Sequence, residues 1–309
     1  MEIPCFVTGC QNMLSYEPTP IQELKDASAD RAGIRLLIKR EELNHRTVSG
    51  NKWWKLKYNL QTAVTEKKTA ILTFGGAYSN HIYATAAAAS AWGLQSIGII
   101  RGEEHLPLNL TLSEAVKWGM NLHYVSRSKY RERSNPDFLN ALKEKWPNAF
   151  IIPEGGSNIH ALRGVQEFGN LLSDIPHDFL CVPVGTGGTL AGLAASGGPA
   201  TIIGFAASRD TSLTSKITAL LQMTGCASPS PWRLITDYHF GGFAKMDDTL
   251  RSFVHDFHRR HEILLDPVYT SKMMFGVFDL IEKKYFPRGS TVMVVHTGGL
   301  QGWGMAERE

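Results

Sequence analysis

The chain has 309 residues, 43% hydrophobic and 20% charged, with a formal net charge of +3. That length allows a large core in one big or two moderate domains, and the mild charge speaks against a nucleic-acid surface. The four cysteines, Cys5, Cys10, Cys181 and Cys226, include no CxxC pair, which fits a reduced cytoplasmic protein with no cysteine metal site.

In chain order, a β-rich run at 35–39 precedes a helical pattern at 52–65. Strands at 70–74, 96–101, 121–125 and 149–152 then alternate with helices at 79–92, 109–119 and 136–146. The most apolar window, 83–94, is too short to cross a bilayer. The basic run 127–133, which contains Glu132, reads as a solvated loop. A helix at 158–172, strands at 179–184 and 201–206, helices at 247–261 and 270–284 and a strand at 291–295 complete the pattern. Strands this apolar need cover on both faces, so the alternation predicts a parallel α/β fold. Glu2 and Pro4, ahead of any basic residue, make a poor signal peptide.

Three glycine-rich turns follow predicted strands and open helices: TFGGAYSNH (73–81), PEGGSN (153–158) and VGTGGTLAG (184–192). A helix start with small residues presents unpaired N–H groups and a positive dipole end, which suit phosphate or carboxylate. Glycine also serves a bare strand-to-helix turn, and for the first two turns that plainer role is sufficient. The third reads GxGGxxxG with no acidic residue before Asp210, which fits neither a dinucleotide fingerprint nor a nucleotide P-loop and suits one small phosphate. His255, His258 and His261 share a predicted helix with two arginines and read as a solvated face rather than a metal site. There is no GxSxG and no HExxH, against serine-hydrolase and zinc-peptidase chemistry.

The stretch SGNKWWKLKYNL (49–60) places Lys52, Lys55 and Lys57 among aromatic and aliphatic residues. Most such lysines keep their heads in water. Lys52 differs because it stands at the predicted helix start, beside Trp53 and Trp54, where the dipole and the rings disfavour an ammonium. A lysine of depressed pKa is a competent nucleophile toward a carbonyl cofactor.

Taken in order, TPIQEL (19–24), SGNKWWKLKYNL, GGAYSNH, IIPEGGSN (151–158), VGTGGTLAG, LDPVYTSKM (265–273) and HTGG (296–299) resemble the pyridoxal-phosphate enzymes of the tryptophan-synthase-β fold. Within that fold they resemble the branch of D-cysteine desulfhydrase and 1-aminocyclopropane-1-carboxylate (ACC) deaminase. It implies a homodimer of subunits with two entwined open parallel-sheet α/β domains and pyridoxal 5'-phosphate in the cleft between them. Residues 1–57 and 162–309 would form the larger, cofactor-binding domain and 58–161 the smaller.

By that resemblance Lys52 would link to the cofactor aldehyde, and Lys55 would not. Gly185, Thr186, Gly187, Gly188 and Thr189 would hold the phosphate. Asn80 would meet the phenolic oxygen, and Thr270 or Thr297 the ring nitrogen. Lys52, Ser79 and Tyr269 would carry catalysis, with Asn51, Ser79, Asn80, His81 and Tyr269 on a small amino-acid substrate. Thr270 and Thr297 resemble the desulfhydrase pattern, where the deaminase carries Glu and Leu. The implied reaction is elimination from D-cysteine to pyruvate, sulfide and ammonia, with ACC deamination as the alternative and a weakly catalytic cofactor-binding protein behind both. Trp53, Trp54, Tyr78 and Phe243 depart from the family pattern and bear on specificity. Neither metal, nucleic acid nor membrane is implied.

Overall fold

The structure, a computed structural model, describes residues 14–303. Cys5, Cys10, Glu2 and Pro4 lie outside the described residues. The strands are β1 (Ile21–Glu23), β2 (Arg35–Lys39), β3 (Ala70–Gly75), β4 (Gln95–Arg101), β5 (Met120–Val125), β6 (Ala149–Ile152), β7 (Phe179–Val184), β8 (Thr201–Ala206), β9 (Trp232–Ile235) and β10 (Thr291–Val295). The helices are α1 (Ala27–Ala32), α2 (Asn51–Thr65), α3 (Asn80–Ala91), α4 (Leu110–Lys117), α5 (Arg127–Tyr130), α6 (Pro136–Lys145), α7 (Ile159–Leu172), α8 (Gly188–Ala195), α9 (Leu213–Met223), α10 (Asp248–His261) and α11 (Thr270–Glu282). Each of the eight anticipated strands is present to within one residue at either end.

They form two sheets, of order β1-β2-β10-β7-β8-β9 and β5-β4-β3-β6. Every pairing is parallel except that of β1 with β2, an antiparallel edge the sequence pattern did not reveal. β3 is buried along its whole length, and β7, β8 and β10 are buried after their first residue. Continuous apolar runs of this kind are what sheets covered on both faces require.

Side chains of Ser79, Asn109, Asn135, Asn158 and Asp247 accept the first free N–H groups of α3, α4, α6, α7 and α10. α2 and α8 begin without such a cap. The expected domain boundaries, 57/58 and 161/162, fall inside α2 and α7. These two helices pack on each other so closely that a Cβ on Gly164 would lie 2.0 Å from the Trp54 carbonyl oxygen. The main core gathers residues of α2, α7 and α8, with Trp54 stacked on Phe168 at 5.4 Å between ring centroids.

The run 127–133 is largely solvated as expected, but its first part is helical, α5, with Tyr130 buried, and Arg127 and Arg133 line the cleft. His255 and His258 are exposed on α10, whereas His261 packs on Phe257 and faces Asp26 at 3.5 Å. No helix among the described residues is long and apolar enough to cross a membrane.

Candidate active site

The turns after β3, β6, β7 and β10 converge on one cleft of about 1500 Å³, at the carboxyl ends of the strands where open α/β sheets place their ligands. Asn51, Lys52, Ser79, Asn80, His81, Gly185, Thr186, Gly187, Thr189, Tyr269 and Thr297 all line it. Gly188 and Thr270 do not.

Lys52 is the second residue of α2. Gly50, with φ 68°, lets the chain enter the helix against the turn after β10, since a Cβ there would lie 1.9 Å from the Thr297 carbonyl oxygen. Behind it, Gly50 N–H donates to Asn44 Oδ1 (2.8 Å), and Asn44 Nδ2 donates to Glu41 Oε2 (2.9 Å). Glu41 is fully buried and also accepts from Thr19 Oγ1 at 2.6 Å and Trp54 Nε1 at 2.7 Å. This hub escaped sequence reasoning, because only folding brings its members together.

Lys52 Nζ donates to Asn51 Oδ1 at 2.8 Å, and Asn51 Nδ2 donates to Thr189 Oγ1 at 2.8 Å. The amine is thus one residue removed from the third glycine-rich turn. Burial pushes its pKa down to about 8, against the opposing pull of the Asp266 carboxylate. The indoles are not the cause that sequence reasoning assigned. Trp53 and Trp54 face the core around Tyr16 and Phe168, and the amine near their rings is that of Lys57, 5.6 and 5.9 Å from the centroids and ion-paired to Glu167 at 2.6 Å.

Lys55, set aside at first, lines the cleft. Its Nζ donates to the Gly155 carbonyl at 2.9 Å and would lie 3.3 Å from a Cβ on Gly188, so it flanks the start of α8. Burial and the neighbouring Lys52 hold its pKa well below the ordinary lysine value.

Ser79 Oγ accepts from the N–H groups of His81 (3.2 Å) and Ile82 (3.3 Å), leaving its own proton to donate into the cleft. Thr73 Oγ1 donates to the Ile152 carbonyl at 2.8 Å and therefore accepts from His81 Nε2–H, also 2.8 Å away. That leaves His81 Nδ1 as a buried lone pair without a partner among the described residues. Burial, with Lys52 and Lys55 nearby, keeps the ring neutral. Asn80 Oδ1 accepts from Gln301 Nε2 at 2.7 Å, which turns its Nδ2 donor the other way. Gln301 lies just beyond the HTGG segment.

Tyr269 stands against Gly185, where a Cβ would be 3.0 Å from its ring, and Phe243 meets it edge-on at 5.8 Å. Burial first, then the Asp266 and Glu154 carboxylates, keep its phenol protonated. Thr270 is fully buried and its hydroxyl donates to Asp266 Oδ1 at 2.6 Å, so of the two threonines it is Thr297 that faces the cleft. Lys272 Nζ, also buried, donates to the carbonyls of Ala207 (3.2 Å), His239 (2.9 Å) and Gly242 (2.7 Å), tying down the loop that carries Phe243.

Two parallel-sheet units sharing a cleft, with a buried amine opposite an uncapped glycine-rich helix start, define an enzyme that holds a phosphorylated carbonyl cofactor. The chain belongs to the family described as "Pyridoxal-phosphate dependent enzyme", which it matches over residues 13–298. It is 31% identical, over 92% of its length and 90% of the relative's, to a Pyrococcus horikoshii protein named as a candidate ACC deaminase. It is 30% identical, over 94% of its length and 78% of the relative's, to the mitochondrial bifunctional D-cysteine desulfhydrase/ACC deaminase of Arabidopsis thaliana. A crystal structure of an ACC deaminase homologue superposes with a TM-score of 0.82 at 28% identity, covering 94% of this chain and 91% of that one. The anticipated fold and cofactor class are thereby shown.

The residues present fit pyridoxal phosphate. α8, with Gly187 as its N-cap, has no side chain on its first N–H groups, and Lys55 and Thr186 stand beside them. The arrangement gives a phosphate its donors, while Lys52 stays free for the aldehyde.

Proposed function

We propose that the protein is a pyridoxal-phosphate-dependent lyase that removes the β-substituent of a small D-amino acid, with D-cysteine the leading substrate. The observation that carries this reading is the link Lys52–Asn51–Thr189, which puts an amine of pKa about 8 beside the phosphate-type turn. Thr297 rather than a leucine stands on the cleft wall after β10, in keeping with the desulfhydrase pattern.

When bound, the cofactor supplies the electron sink that makes a Cα–H bond breakable. Lys52 Nζ is the group placed to hold the cofactor and, once free, to take the Cα proton. The Ser79 hydroxyl and the start of α3 receive the substrate carboxylate. His81, kept neutral, offers a lone pair without adding charge. Tyr269, kept protonated, stands to donate its proton to the departing sulfur. The relatives' names support ACC deamination as the second reading, but Phe243 brings no hydroxyl to the cleft.

Incubation with D-cysteine should release sulfide and pyruvate in equal amounts. Formation of 2-oxobutyrate from ACC with no sulfide from D-cysteine would overturn the substrate assignment, and a yellow protein inert to both would overturn the lyase reading. The family resemblance further supports a homodimer, which light scattering checks.

A further inference from the structure

Arg101 ends β4 and sits beside the turn that carries Ser79. A Cβ on Gly76 would lie 3.3 Å from an Arg101 Nη atom, and the Ser79 N–H donates to the Gly76 carbonyl at 3.0 Å, closing that turn. The Arg101 guanidinium lies 5.9 Å from the Tyr130 ring, and Arg133 covers the same ring at 5.1 Å. Tyr130, 2% exposed, donates its hydroxyl to Glu154 Oε1 at 2.7 Å, and Arg133 pairs with Glu154 Oε2 at 2.7 Å. Glu154 is thus fully engaged. Among the described residues, Arg101 and Arg127 have no carboxylate in ion-pair reach, although both line the cleft with Lys143. Arg101 and Arg127 are exposed to this cleft, and with Glu154 already paired their guanidinium groups can take an anion from solution.

We infer that Arg101, assisted by Arg127, forms a subsite for a second anionic group carried on the β-substituent of the amino-acid substrate: a phosphate, a sulfonate or a carboxylate on a sulfur link. The inference rests on the proposed reading, in which the α-carboxylate docks at Ser79, and it refines the substrate class. The chemistry balances for such a substrate. The Cα–H proton passes to the enzyme base, its electron pair forms the Cα=Cβ bond, and the Cβ–X pair departs on X. Water then hydrolyses the enamine to pyruvate and ammonia.

The test is binding to the holoenzyme, read from cofactor absorbance and calorimetry, with alanine and aspartate in both enantiomers. Aspartate carries a second carboxylate and no leaving group, so binding is separated from turnover. Aspartate should bind at least tenfold more tightly than alanine of the same hand. Arg101→Gln should remove that tenfold, about 1.4 kcal/mol, while changing alanine binding less than twofold, and Arg101→Lys should restore part of it. O-Phosphoserine should show a KM that rises at least tenfold in Arg101→Gln with kcat little changed. Equal weakening of alanine and aspartate, or of neither, would overturn the subsite with the lyase reading intact. If no amino acid perturbs the cofactor and D-cysteine yields no sulfide, the lyase reading and this inference fall together.

Discussion

Among the described residues Lys52 Nζ has a single acceptor, Asn51 Oδ1, in surroundings that burial makes hostile to an ammonium. Because the folded pKa lies near 8, the amine predominates above that pH and the ammonium below it. Uptake of pyridoxal phosphate by the stripped protein needs the amine, so its rate should climb through a midpoint near pH 8, not near the 10.5 of an ordinary lysine. Borohydride should then fix the chromophore to the peptide holding Lys52, and Lys52→Ala should bind the cofactor without being labelled. Labelling that persists in Lys52→Ala, or appears on Lys55, would remove the assignment. Thr270 supplies the contrasting case. Its hydroxyl joins the N–H groups of Val268 (3.0 Å) and Tyr269 (3.1 Å) on the Asp266 carboxylate at the start of α11. Thr270→Val should lower stability by about 1–3 kcal/mol, the cost of orphaning the buried Asp266 N–H that donates to the Thr270 hydroxyl at 2.8 Å, and leave the cofactor spectrum unchanged. A spectral shift at constant stability would instead place this hydroxyl on the ring.

At the scale of elements, α2 depends on one glycine. A methyl at Gly50 meets the Thr297 carbonyl at 1.9 Å, and φ of 68° is already strained for any side chain, so Gly50→Ala must separate the helix start from the turn after β10. The expected loss is on the order of 3 kcal/mol, seen as a lower denaturant midpoint together with weaker cofactor retention. Unchanged retention would show that the junction does not position Lys52. The sequence made this junction readable in part: SGNK signals a helix start, and the lysine two residues after its glycine is the residue to watch. It could not show that HTGG, some 245 positions later, is what the glycine must clear. The same contrast runs through the fold. β3, β7, β8 and β10 were legible because each is a continuous apolar run, whereas β1 is three residues long and holds its place by pairing with β2. α9 does carry a helical spacing, at Leu213, Ile217, Leu220 and Leu221, that went unread, whereas β9 is only four residues long. Trp53 and Trp54 misled for a related reason: composition says that rings are near a lysine, but only the helix geometry says which one.

At the scale of the molecule, the cleft exists only while its two halves are held together. Polar links join the halves at Ser157 to Thr186 (2.6 Å) and Asn80 to Gln301, while Asn51 to Thr189 ties α2 to α8. The apolar bridge is the crossing of α2 with α7, which has no room for a Cβ at Gly164. α2 therefore works as a rod, seated at one end on the turn after β10 and clamped along its length by α7. Gly164→Ala should destabilise by about 1–3 kcal/mol as an overpacked contact. If the rod is rigid, the displacement should also reach Lys52 and weaken cofactor binding in parallel. A double-mutant cycle with Gly50→Ala tests this directly. Each substitution displaces the same helix, so once one has moved it the second should cost less than it does alone, and the combined loss should fall short of the sum by at least 0.5 kcal/mol. Strict additivity, measured both in denaturant midpoint and in cofactor affinity, would mean that the two ends of α2 yield independently and that the amine is positioned by its local contacts alone.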